Sequence, residues 1–285
     1  MANEHLHKAK KTKNDLFYTR REDVEKELAH YEGQLEGKWI YMPFDTAKSA
    51  FWQYFKDNFH RLKLKHITAT SWFKDNEDGK GHRLDYDGVE ETDVILQGNG
   101  SFDSEECTEI MKECDLVCSN PPFSKWRQVI KWLNYDFGMK GFLLIAPRTA
   151  WNIKEVYELF LDKKIRTGHK GHMSIEEMQF LDPDNLIAKI PVIWITTLVV
   201  KDFERQFVLT KTYNEQDYQK YDNYDAINID RLRNIPADYQ GKIGVPLSFF
   251  KYYQDLDYEI LEKRSDLSVN GKRKFIRLII KRKQL

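Results

Sequence analysis

A chain of 285 residues with a 41% hydrophobic share is long enough for one large α/β domain, or one domain with an appendage, around a sizeable core. Lys+Arg and Asp+Glu both number 45, so the formal net charge is zero; this excludes a polycation, and any nucleic-acid surface has to come from local clustering. No apolar run approaches the roughly 20 residues of a membrane span, the opening "MANEHLHKAKKTKN" has no hydrophobic signal core, and Cys107, Cys114 and Cys118 contain no CxxC pair, so a cytoplasmic protein with no membrane association, disulfide framework or metal is expected.

Residues 1–14 read as a loose basic arm. A helix is expected over 23–31, acidic at its start as the helix dipole favours. Strand 37–42, amphipathic helix 49–62 and strand 66–73 follow, then a solvated hairpin or loop over 75–88 and a strand over 92–98. Helix 104–114 has a serine cap followed by acids. Strand 115–120, helix 124–137, strand 141–147 and helix 152–161 complete an alternation that implies α/β architecture, a doubly wound, mostly parallel sheet. Residues 162–190 read as a long polar loop holding "RTGHKGHM", whose histidines lack further ligands at metal-binding spacing. Segments 189–201 and 205–213 read as a neighbouring, antiparallel strand pair, and 214–285 as a segment rich in Tyr, Asp and Asn that turns basic.

Ligands of such sheets bind beyond the carboxyl ends of the strands. Asp45, Ser71, Gly98 to Phe102 and Asn120 to Phe123 all follow directly after expected strands. The last group, in "DLVCSNPPFSKW", is the most telling. A strand ending in Asn120-Pro121-Pro122 puts an amide at the rim of the sheet, and the prolines stiffen the turn while supplying a carbonyl but no donor. An amide oxygen and a backbone carbonyl fixed side by side suit an NH₂ group, and Phe123 offers a flat face to the ring that carries it. That pairing suits methyl transfer to the exocyclic amine of adenine, a nitrogen whose lone pair is delocalised into its ring. Acceptors on its hydrogens favour pyramidal geometry and steady the developing charge. The same residues can serve other flat amines, including an RNA base or a glutamine amide. A structural turn with a packing Phe is the plain alternative.

Here the sequence resembles the adenine-specific modification methyltransferases of the EcoRI type, an Asn-Pro-Pro-aromatic family that uses S-adenosylmethionine. The resemblance runs from "NDLFYTRREDVEKELAHYEGQLEGKWIYMPFD" through "GNGSFDSEECTEIMKECDLVCSNPPFSKWRQVI" into "YDNYDAINIDRLRNIPADYQGKIGVPLSFF", most of the chain. It implies a Rossmann-like fold and site-specific methylation of adenine N6 in double-stranded DNA by base flipping, in a restriction-modification system or as a solitary enzyme. Asn120, Pro121, Pro122 and Phe123 become the catalytic element. Phe17, Tyr18 and Thr19 lie in the N-terminal cofactor motif over the methionine end of S-adenosylmethionine. Pro43 and Asp45 take the place of the family's acidic turn, with Asp45 for the cofactor amino group. Two positions depart from the pattern. Ser71 stands where many methyltransferases carry an acid for the ribose hydroxyls, and the usual Asp-Phe pair is Ser101-Phe102, with the acid at Asp103 instead. Trp194 and Thr197 are possible walls of the target pocket, with a core role the stronger reading for Trp194.

A flipped base leaves phosphates to neutralise and a gap to plug. The candidate cations are Lys8, Lys10, Lys11, Lys13, Arg20 and Arg21, and the face Arg273, Arg277 and Lys281 of a C-terminal strand; the tyrosine-rich segment 213–239 offers stacking surfaces or simply wraps the core. The resulting division is a basic arm over 1–14, a catalytic domain over 15–213 and a DNA-contacting extension over 214–285, acting as a monomer without an obligate protein partner. Two alternatives remain: an RNA base-amine methyltransferase, and a non-catalytic nucleic-acid-binding protein on the same fold.

Overall fold

In the computed structural model the described residues are 18–134, 139–169, 179–181, 187–189, 191–200, 208–253 and 256–283. The chain divides into two compact units, Met1–Lys201 and Asp202–Leu285. The expected basic arm and Phe17 lie outside the described residues.

The first unit is built on an eight-stranded sheet. Its centre is four parallel strands: β2 (Trp39–Met42), β3 (His66–Ser71), β6 (Leu116–Ser119) and β7 (Phe142–Pro147), in spatial order β3-β2-β6-β7. These strands are buried on both faces, as parallel strands must be when helices cover each side. Helix α1 (Arg21–Leu28) and α2 (Ala50–Asp57) cover one face. The second buries Phe51, Trp52, Tyr54 and Phe55, a helical stripe that packs with Ile40, Met42, Ile67, Cys118, Ile145 and Trp194. On the other face lie α3 (Glu105–Glu113) and α4 (Trp126–Leu133). Cys107 of α3 reaches Thr70, and Trp126 of α4 donates its indole N–H to the Ile145 carbonyl at 2.8 Å. Helix α5 (Lys154–Leu161) packs beside α4. Ser104 caps α3 by accepting from the Cys107 amide, as the sequence signature predicts.

Departures from the expected alternation lie at the sheet's edges. The stretch expected as a solvated hairpin or loop over 75–88 contains a strand, β4 (His82–Tyr86), antiparallel to β3, and the strand expected over 92–98 is β5 (Glu91–Ile95), hairpin-paired to β4 rather than inserted as a parallel strand. The charge-rich stretch looked solvated because the hairpin is a half-exposed edge. Its polar side chains satisfy one another: Asp85 accepts from Thr68 at 2.7 Å and Arg83 at 2.6 Å and bonds His66 at 2.9 Å. At the other edge, β11 (Val192–Thr196) pairs antiparallel with β7 and with a short strand, β8 (Arg166–Thr167), inside the expected loop. Of the partner expected for β11 over 205–213, residues 208–213 hold no strand, and 201–207 lie outside the described residues. A separate small sheet joins β1 (Tyr18–Thr19) to β9 (Gln179–Leu181) and β9 to β10 (Ile187–Lys189). The architecture is the doubly wound α/β class, antiparallel only towards its edges.

The second unit carries a four-stranded sheet in the order β12 (Ile227–Asn228), β13 (Ile243–Pro246), β17 (Arg277–Arg282), β14 (Tyr258–Arg264). A small hairpin pairs β15 (Ser268–Val269) with β16 (Lys272–Arg273). The expected basic face of the C-terminal strand does not form at Arg277. That residue is 7% exposed and holds Asp230 at 2.6 Å, because β17 lies between two neighbours and not at an edge. No helix among the described residues is long and apolar enough to cross a membrane.

Candidate active site

The chain leaves β2 for β3 on one side and returns to β6 on the other, so the switch point lies between β2 and β6. In open sheets of this class the ligand crevice lies at that point, beyond the carboxyl ends of the strands. The turn after β2 places Pro43 and Asp45, both buried, at its floor. Ser119, the last residue of β6, donates its hydroxyl to the Asp45 carboxylate and bridges the switch point. The Asp45 amide bonds the Thr70 carbonyl at 3.3 Å, which ties the exits of β2 and β3 together. Burial pushes the Asp45 carboxyl up to about 6, against the hydrogen bonds from Ser119 and Ser49 that favour its ionised form. A buried carboxylate held at a switch point without a cationic neighbour among these partners is a fitting seat for an ammonium group.

Asn120 follows Ser119 directly. Its amide nitrogen donates to Thr19 Oγ1 at 3.1 Å, across a sequence separation of 101. The N-terminal motif thus reaches the Asn-Pro-Pro element, with Thr19 held in place through its backbone pairing to Phe180. Pro121 is buried; the Pro122 carbonyl accepts the Lys125 amide at 2.9 Å, closing the single 3₁₀ turn Phe123–Lys125 that leads into α4. Phe123 is half-buried against the main core, so its ring is backed on one side.

The other end of the crevice lies at the exits of β3 and β5. Ser71 is buried and exchanges hydrogen bonds with the Asn76 side chain, the shorter at 2.9 Å, while Asn76 also donates to the Lys80 carbonyl at 2.7 Å. The loop 98–102 is drawn against Ser71: a Cβ at Gly100, where φ is +72°, would lie 2.1 Å from the Ser71 carbonyl oxygen, so only glycine fits. Glu106 in the first turn of α3 accepts the amides of Gln97 and Gly98, fixing the loop's start. Ser101 donates its hydroxyl to Asp103. Phe102 is 5% exposed, packed on Phe44 at 5.2 Å and Trp132 at 5.3 Å between ring centres.

Thr19, Pro43, Asp45, Ser71, Ser101, Phe102 and Asn120 to Phe123 therefore all lie along one rim of the sheet. Tyr18 is in β1 beside Thr19. Thr197 does not join them. Strand β11 runs against β7, so its end lies at the opposite edge, where the Phe142 amide donates to the Thr197 hydroxyl at 2.8 Å. Trp194 is core, edge-on to Phe51 at 6.0 Å. The start of "RTGHKGHM" is anchored: the His169 amide donates to buried Glu27 at 2.7 Å, and the rest of that motif lies outside the described residues. Sequence reading missed Ser119, Asn76, Glu106 and Phe44. Their positions next to motif residues are visible in the sequence, but their partners are fixed only by the fold.

A doubly wound sheet with a buried acid at one switch-point exit and Asn-Pro-Pro-Phe at the next defines a methyltransferase of the amine-modifying class. The chain belongs to the adenine-specific methyltransferase EcoRI family, whose model matches residues 5–283. It is 34% identical to the type II methyltransferase M.EcoRI of Escherichia coli, over 99% of this chain and 98% of that one. It is 32% identical to the type II methyltransferase M.MpnI of Mycoplasma pneumoniae, over 98% of each chain, and 30% identical to M.MgeORF184P of Mycoplasma genitalium, over 99% of each. No solved structure gives a significant match.

Proposed function

We propose that this protein methylates the N6 amine of adenine in a specific double-stranded DNA sequence, taking the methyl group from S-adenosylmethionine, as the modification arm of a restriction system or as a solitary enzyme. The reading rests chiefly on the Asn120–Thr19 contact. With its Nδ2 held by Thr19 at 3.1 Å, the Asn120 amide presents its oxygen as the acceptor. Asn120 Oδ1 and the Pro121 carbonyl accept the two hydrogens of the target amine, favouring the pyramidal geometry in which its lone pair is localised. Phe123 stacks on the adenine ring, which must leave the duplex to reach it. No strong base is needed in advance; the proton leaves after the new bond forms.

The crevice suits the donor. Asp45 would hold its amino group, and Ser71 with Asn76 its ribose hydroxyls. Ser101 or a neighbouring carbonyl would accept from its adenine amine, and Tyr18 with Thr19 would lie over its methionine end. When bound, S-adenosylmethionine supplies an electrophilic sulfonium methyl. The remaining task of the protein is positioning, with reacting atoms held near contact and in line. The first unit is the catalytic body and the second contacts DNA; the enzyme works as a monomer in the cytoplasm.

The test is incubation with tritiated S-adenosylmethionine and DNA, RNA or protein, with the modified nucleoside identified by mass. N6-methyladenine in duplex DNA is expected. Label confined to RNA or protein, or no transfer at all, would overturn the reading.

A further inference from the structure

The second unit holds a feature that its own folding does not explain. Phe275 is 90% exposed, although it sits between β16 and the central strand β17. Its surroundings are firmly built. Asp222 accepts the amides of Asn270 and Gly271 at 2.9 Å each and the Ser268 hydroxyl at 2.9 Å, locking the β15–β16 turn. The Arg273 guanidinium grips the Ser265 carbonyl at 2.9 and 3.0 Å. Lys274 and Arg277, one before and one after Phe275 in the chain, both hold Asp230, at 3.0 and 2.6 Å. An aromatic ring is thus projected into water from a hydrogen-bonded base, at low further entropy cost on binding.

Three cations, Lys272, Arg273 and Lys274, directly precede it in the chain. Among the described residues, Lys272 makes no ion pair; Arg273 donates to the Ser265 carbonyl and lies within the field of Asp266, which is itself paired with Arg264. An exposed phenyl flanked by cations matches a surface of stacked bases between phosphates: the ring inserts at or stacks on a base step while the cations meet the backbone. We propose that Phe275 is a base-stacking wedge for duplex DNA, with Lys272 and Arg273 as its phosphate contacts. The inference rests on the DNA reading given above.

The experiment measures binding of a fluorescein-labelled duplex carrying the methylated sequence by anisotropy, for the wild type, Phe275→Ala, Phe275→Trp and Lys272→Gln, at low and moderate salt. S-adenosylmethionine affinity is measured alongside as the check of folding. Phe275→Ala should weaken the duplex about ten- to hundredfold, the range of a lost base–aromatic stack, by the same factor at both salt concentrations. Phe275→Trp should restore most of the affinity, and its added indole emission should be quenched by the duplex. Lys272→Gln should instead flatten the salt dependence by about one phosphate contact. Unchanged affinity in Phe275→Ala, with the wild type still binding and methylating DNA, would overturn the wedge alone. A change in sedimentation without a change in DNA affinity would make Phe275 a self-contact and overturn it too. A wild type that neither binds nor methylates DNA would remove the functional reading itself.

Discussion

The two ends of the switch-point crevice are held by different means. At the β6 end, Asn120 is fixed covalently by a strand before it and two prolines after it, and Thr19 sets its amide. At the β3 and β5 end, neutral groups replace the customary acids, and the geometry comes from a web of hydrogen bonds: Asn76 on Ser71, Glu106 on the amides of Gln97 and Gly98, and a close approach that only Gly100 permits. Rigidity sits where the proposed bond would be made, where small errors in position are expensive. Adaptable polar contacts sit where the invariant part of a cofactor would be gripped, and many weak contacts suffice. Asp45 stands between them and joins both ends, its buried carboxylate accepting from Ser119 and its amide donating to the Thr70 carbonyl.

That contrast can be broken from either end. Asn120→Ala should have the largest effect, lowering turnover about 10²–10³-fold as loss of an electrostatic contact made in the transition state does, with cofactor affinity nearly unchanged; equal losses of both would erase the distinction. Asp45→Asn comes next, weakening S-adenosylmethionine about ten- to hundredfold, the worth of a charged hydrogen bond. Its pH signature is more informative. With the carboxyl raised to about 6, an ammonium ligand selects the ionised form, so affinity should fall about tenfold per pH unit below about 6. The ligand-free protein should show the reverse trend, losing stability as pH rises from about 4 to about 6, because the unfolded chain ionises this group first. Calorimetry across that range checks both signs, and Asp45→Asn should abolish both.

Asp85 probes the edge of the sheet that leads into the loop 98–102. Burial raises its carboxyl, but the hydrogen bonds from His66, Arg83 and Thr68 outweigh this and bring it down to about 2. Asp85→Asn should cost about 2 kcal/mol in denaturant unfolding above pH 4, a difference that fades as pH falls towards 2, and should leave turnover at saturating cofactor unchanged. Ser71→Ala and Asn76→Ala should be the mildest, each weakening the cofactor about two- to tenfold. A hundredfold loss in either would mean that the neutral pair carries what an acid carries elsewhere.

Much of this was legible in the chain because local rules agreed with the fold. Strands β2, β6 and β7 announce themselves as short, largely apolar runs, and the Ser104 cap and the α2 stripe obey simple periodicities. Asn120 to Phe123 was legible because prolines at a strand end leave few geometries. What the chain hid was pairing. "DNEDGKGHRLDYDG" reads as hairpin or loop alike because β4 exchanges charged partners with its neighbours at a half-exposed edge. Thr197 looked like a pocket residue because the direction of β11 is not written in its sequence. Arg277 looked like a surface cation because alternation cannot reveal that β17 has a neighbour on each side. Ser119 and Asn76 were hidden for the same reason: each acts through a partner that only the fold supplies.

On the proposed function, the methyl donor lies between β2 and β6, beside Asn120. Photolabelling with tritiated S-adenosylmethionine, followed by peptide mapping, tests it most directly. Label should enter the peptides spanning residues 39–48 and 115–125, which carry Phe44 and Phe123, and excess unlabelled cofactor should suppress it. Suppressible label found instead in residues 208–283 would contradict the claim.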